Sequence, residues 1–306
     1  MSAHFLTLLL AAAVTLAAPL LFAALGEVIS ENAGVINIEL EGMMLVGAFC
    51  GVYAAYSSTS VVVGFLAAAA GGLFVAALHG LVCLVFRANQ VVSGVVLNIL
   101  ALGLTNYGLV VLLGSNAAVS VSTLRPMRIP GLADIPVLGP VLFDQNVMVY
   151  LAVLLVPAVW WLLWRTGFGL AVRAAGERPL AADSLGVRVS LTRWCALLCC
   201  GALAGIGGGQ LTLAGLGAFT QNVTAGRGFI ALAAVVFGRW RPLGALSAIL
   251  LFALADAFQI RAQALGIHAP YQFLAMLPYI VTILALALLV RRMRPPSQLG
   301  VNFVRE

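Results

Sequence analysis

Lysine is missing from the whole 306-residue chain, and its sixteen basic residues are all arginine. A P-loop needs a lysine to reach the β- and γ-phosphates of a nucleotide, so this chain cannot build one. Any ATP-driven work is expected from another polypeptide. Charge of either sign is scarce, at 8% of residues against 63% hydrophobic, where a soluble domain carries roughly 25% charged residues. No stretch is polar enough to fold outside a bilayer, and the roughly ten-residue alternation of a transmembrane barrel is lacking. The composition predicts an all-α, polytopic transmembrane helical bundle forming one integral domain over 1–306.

Reactive clusters are scarce as well. The five cysteines, Cys50, Cys83, Cys195, Cys199 and Cys200, all lie in apolar runs and read as small buried hydrophobes. None has metal-ligand spacing with histidine, and His79 and His268 stand alone, so no metal site is expected. No Ser-His-Asp arrangement or phosphate loop occurs; an enzyme reading, a catalytic residue and a resident cofactor have no basis. No basic run is interleaved with aromatics, which excludes nucleic acid as a partner and leaves the lipid bilayer. Residues 1–25 lack the basic leader of a signal peptide and read as a retained first span.

A span needs about 20 apolar residues. Candidates are 5–25, 42–57, 61–86, 91–113, 147–164, 191–217, 228–238, 243–263 and 271–290. The seventh is too short alone and is expected to join a broken or re-entrant piece from 218, giving eight to nine spans. Arginines favour the cytoplasmic side, which would collect Arg87, the stretch 165–193, Arg239, Arg241, Arg291, Arg292 and Arg294. Nine crossings then leave the N-terminus and the loop 114–146 outside. That loop holds Pro126, Pro130, Pro136 and Pro140 with three glycines, so it is expected to be extended and irregular. It is either a surface for a delivery protein or a lid over the pore mouth.

What the chain does have is one polar island, GLAVRAAGERPLAADSLGVRVSLTR, at 169–193. Pro179 suits the first helical position and Gly186 the residue past a helix end. The short helix between them would carry Leu180, Ala181, Ser184 and Leu185 on one face, an apolar knob suited to a partner's groove. Glycines at 201, 205 and 209, and at 47 and 51, form small-residue stripes for close helix packing.

Polar residues also interrupt the spans. Glu27, Glu31, Glu39 and Glu41 flank a break around Gly34 and Gly42. Intramembrane carboxylates face a cavity or a partner, and a broken helix is a familiar transporter device. Glu27 and Glu31 read as solvated interfacial groups, while Glu39 and Glu41 read equally as cavity-facing or structural. Gln90 and Asn98 lie about two turns apart on one helix face and can bond a neutral solute or a neighbouring helix. Phe219, Gln221 and Asn222 precede the short span and could line the path. Asp256 reads as a partner for Arg261, with a proton site as the other option.

Four motifs in order, NAGVINIELEGMMLVGAF, RANQVVSGVVLNILALGLT, VRAAGERPLAADSLGV and GRGFIALAAVVFGRWRPLGA, carry a resemblance. Together they resemble bacterial ABC-importer permeases of the ribose/branched-chain amino acid superfamily, in the simple-sugar and purine-nucleoside branch. The resemblance runs from 27 to 265. It implies an inner-membrane importer with two permeases, the second a dissimilar paralogue, and separate ABC ATPase subunits that bind ATP-Mg. An extracytoplasmic solute-binding protein would deliver the solute. Under it, Arg173, Gly176, Glu177, Pro179, Leu180, Ala181, Ala182, Leu185 and Gly186, within 166–190, would form the loop that couples to the ATPase. Asn37, Glu41, Gln90, Asn98, Phe219, Gln221 and Asn222 would line the translocation path. Glu39 stands where the family pattern has glycine. The substrate is expected to be a nucleoside or related sugar-like solute. Simple sugars or branched-chain amino acids on the same machine remain open, as does a proton-coupled secondary transporter using Asp256 or Glu41.

Overall fold

A computed structural model describes residues 3–114, 120–264 and 294–304, with 276 and 280. Helix α1 (Ala3–Asn32) is rich in alanine and leucine and spans about 45 Å, enough to cross a bilayer. Phe22, Ala23, Ala24 and Leu25 are fully buried, so α1 is the central post; a helix apolar on every side belongs in the middle of a bundle. Helices α6 (Val147–Arg165), α9 (Val189–Leu211) and α11 (Pro242–Ala264) pack against it, α2 (Leu40–Ser58) and α3 (Val61–Gly80) pack chiefly on α9 and on each other, and α4 (Gln90–Gly108) packs on α2. The last turns of α3, α4 and α9 widen into π-helix, which extends these spans to Val85, Leu113 and Leu216.

Local sequence sets several starts. Asn89 accepts from the Val91 and Val92 amides to begin α4, Asn146 accepts from Val149 to begin α6, and Thr166 accepts from Gly169 to begin α7 (Gly167–Glu177). Each satisfies amide groups that a helix start leaves open. Helix α8 (Pro179–Ser184) opens on its proline, and Gly186 follows it with φ +88°. The island thus holds two short helices where the sequence predicts one, because Thr166 starts a new helix at the end of α6.

The glycine stripes bring α2, α3 and α9 into backbone contact. A Cβ on Gly205 would lie 2.2 Å from the Ala68 carbonyl oxygen, and one on Gly72 would lie 2.0 Å from that of Gly201. Gly47 meets Gly205 from the other side. Lipid supplies no hydrophobic drive between helices, so such close approach carries the association.

Among the described residues, seven helices are long and apolar enough to cross a membrane, and the chain is an all-α, multi-pass membrane protein. Helix α10 (Arg227–Phe237) has eleven residues and is too short to cross alone. The expected span 271–290, apart from 276 and 280, lies outside the described residues, as do His268, Arg291 and Arg292. The loop expected to be irregular instead carries a two-residue hairpin, β1 (Met127–Arg128) against antiparallel β2 (Asp144–Gln145), with one turn of helix, α5 (Leu138–Leu142), between them. Pro126 and Pro130 bracket β1 and keep it short. Tyr150 closes the hairpin by donating to the Met127 carbonyl and accepting from the Gln145 amide.

Gly205→Ala is expected to cost about 1–3 kcal/mol by overpacking. Gly103, beside which a Cβ meets nothing within 4 Å, should tolerate alanine and gain about 0.5–1 kcal/mol. Thermal unfolding of both variants in detergent checks this; equal melting temperatures would remove the glycine crossing as a source of stability.

Candidate functional site

Helix α1 ends where Gly34, at φ +91°, turns the chain, and residues 33–39 run into the bundle before α2 begins. Backbone in such a place has to be satisfied by protein, and side chains from α4 do much of it. Gln90 accepts from the Ile36 amide at 2.9 Å. Asn98 accepts from the Gly42 amide at 2.7 Å and donates to the Ile38 carbonyl at 2.9 Å. Both amides therefore act on the neighbouring break in this state.

The four carboxylates of this region all lie inside. Glu27 and Glu31 are 0% and 3% exposed, which corrects the expectation of solvated interfacial groups; the interior supplies each with donors from afar. Glu27 accepts from the Asn37 side chain at 2.7 Å, from the Asn37 amide at 3.1 Å and from Cys200 at 3.2 Å. Glu31 accepts from the Trp240 indole. Glu39 lies 3.2 Å from His79 Nδ1, both fully buried, and Ser93 stands 3.2 Å from the same nitrogen. Glu39 thus meets a histidine on α3.

Glu41 joins two interruptions. Its carboxylate accepts from the Thr224 hydroxyl at 2.5 Å and from the Gly226 and Gly228 amides at 2.8 and 2.6 Å. These are the residues that open α10, so a negative group sits where a helix start presents unpaired N–H groups and a positive dipole end.

Phe219 packs edge-on to Phe49, with ring centroids 5.3 Å apart, while Gln221 and Asn222 are exposed. Asp256 pairs with Arg227 at 3.6 Å, not with Arg261 as the sequence suggested, because the start of α10 faces α11. Sequence reasoning missed a small cavity of about 150 Å³ beside Thr15, Pro19, Gln210 and Arg227. Gln210 is 3% exposed and donates to Asn146 at 3.3 Å; a lone glutamine at the end of a glycine-rich helix gave no pattern to find it by.

At the other end lies the island. Pro179 and Ala182 are buried, and Leu180 and Leu185 are 54% and 86% exposed; Ala181 is exposed beside them. Arg173 sits over the Trp164 ring at 5.7 Å. Gly176 presses on the Asn32 carbonyl, and Glu177 bonds Ser297. Arg173 and Gly176 hold the island to the bundle, while Leu180, Ala181 and Leu185 face outward.

The family model for the branched-chain amino acid transport system permease component matches residues 9–290. The chain belongs to this permease family. The guanosine ABC transporter permease protein NupQ of Bacillus subtilis is 38% identical, over 99% of this chain and 98% of that protein. The nucleoside ABC transporter permease protein NupC of Lactococcus lactis is 36% identical, over 94% and 93%. The putative glucose ABC transporter permease protein TsgC13 of Haloferax volcanii is 38% identical, over 97% and 98%. No solved structure matches the permease.

Leaving one member of a buried polar contact without its partner costs about 1–3 kcal/mol, and removing both costs less. Glu39→Gly and His79→Ala should each destabilise the permease by about that amount, while the double variant falls well short of their sum. Unfolding in detergent measures the coupling; additive effects would show that the two do not depend on each other.

Proposed function

We propose that this permease translocates nucleosides across a bacterial cytoplasmic membrane, driven by a separate ABC ATPase and supplied by an extracytoplasmic binding protein. The observation that carries the reading is α8. Leu180 on this helix and Leu185 just past its end stand exposed, at the end of the bundle that also holds Arg87, Arg178, Arg188, Arg239, Arg241 and Arg294. Arginine gathering of this kind marks the cytoplasmic side. The hairpin loop then lies outside, where a binding protein would arrive.

A proton-coupled transporter is disfavoured because Glu41 is held by three donors and Asp256 by Arg227. Nucleosides are favoured by the names of two full-length relatives. Sugar transport is the second reading, supported by the glucose permease relative at equal identity.

Proteoliposomes holding the permease, its ATPase and the binding protein should accumulate guanosine only with ATP. Uptake on a pH gradient without ATPase would contradict the proposal, and glucose uptake without guanosine uptake would select the second reading. Replacing Leu180 and Leu185 with Asp should lower ATP-driven uptake at least ten-fold while the permease still inserts; unchanged uptake would remove α8 from the drive.

A further inference from the structure

Residues 294–304 cross the same end of the bundle as α8 and are tied down along their length. The Ser297 hydroxyl lies 2.5 Å from the Glu177 carboxylate. The Gln298 amide donates to the Gly176 carbonyl at 2.9 Å, and the Gly300 amide to that of Gly34 at 3.0 Å. Buried Arg193 donates to the Val301 carbonyl at 2.7 Å. Asn302 donates to the Arg87 and Ala88 carbonyls at 2.6 and 3.1 Å and accepts from Gln90 at 3.3 Å. One strap therefore holds α7, the 33–39 break, α9 and the turn before α4. Terminal segments fray unless tied in this manner.

The strap bounds two concavities. One, of about 500 Å³, lies between α8 and the tail and is lined by Pro179, Leu180, Val301, Phe303 and Val304 among others. The second, of about 650 Å³, lies against the start of α9 and includes Arg87, Asp183 and Arg188. Phe303 lines both. Leu180, Val301 and Val304 are each about half exposed, and apolar surface of this kind rimmed by charge marks a partner site. Exposed Arg87, Arg178 and Arg188 outnumber Glu177 and Asp183 in the lining of the two grooves, so the rim is positive.

We propose that the tail is the second wall of the ATPase docking face. Its occupant is an apolar ridge of the ATPase subunit that fills the α8 groove, with carboxylates beside it for the arginine-bearing groove. The positive rim selects an acidic partner, and the apolar groove demands more than charge. This rests on the ATP-driven reading above and extends it: force on the face reaches the break through Gly300 and α9 through Arg193, not through α8 alone.

Co-purification of the ATPase with the full-length permease, together with ATP-driven uptake, tests the proposal. Phe303→Asp and Val304→Asp should each lower retained ATPase at least ten-fold while the permease stays monodisperse in detergent, and Phe303→Leu should retain it. Arg188→Glu should weaken retention and flatten its dependence on salt, as expected when a charge contact is removed. A form lacking residues 294–306 should lose retention entirely. Wild-type retention and uptake in both aspartate variants would overturn the docking role of the tail and leave ATP-driven transport standing. Wild-type uptake indifferent to ATP would remove that reading and this one together.

Discussion

A helix interrupted inside a bilayer has to find partners for its own backbone, because lipid offers neither donors nor acceptors. That constraint governs residues 33–41, and several buried polar side chains answer it. Gln90 and Asn98 serve the break from α4, Asn37 locks it to Glu27, and Glu41 carries the same logic across to the start of α10. Two interruptions are thereby held to each other by one carboxylate. A buried carboxylate with three donors is firmly placed, which ties the break to the start of α10.

The glycine crossing supplies the complementary rigidity. Helices α2, α3 and α9 touch through backbone, which leaves little room for sliding and makes them one body. Gly176 packs on the last turn of α1, and Arg193 links α9 to the Ala175 carbonyl of α7 at 3.2 Å. Under the proposed ATP drive, a push on α7 and α8 would be delivered at the point where α1 breaks. Transport needs two arrangements biased by ligand or nucleotide, and the contacts at Gly34, Gly176 and Arg193 are where such a bias would enter.

How much of this was readable in the residues depended on how local the cause was. Pro179 and Gly186 announced α8 because helix ends are set within a few positions, and glycines every fourth residue announced the stripe on α9. Asn89 could have been read as a helix cap by the same reasoning. Glu27 and Glu31 read as solvated because Cys200 and Trp240, which enclose them, lie far along the chain; Asn37, ten residues from Glu27, is the one nearby donor that could have pointed to a buried carboxylate. Asp256 was assigned to Arg261 for the same reason: sequence proximity favoured the wrong arginine over Arg227. The tail escaped notice because it bonds chiefly to backbone carbonyls, which a sequence does not display.

Helix α8 and the tail lie at one face and the hairpin at the other, with the bundle between them. Thiol labelling with a membrane-impermeant maleimide tests this most directly, using Leu185→Cys and Val304→Cys against Leu132→Cys. The first two should react only when the reagent reaches the cytoplasmic side, and Leu132→Cys only from outside. Reaction of Leu185→Cys from the outer side, or all three from one side, would contradict it.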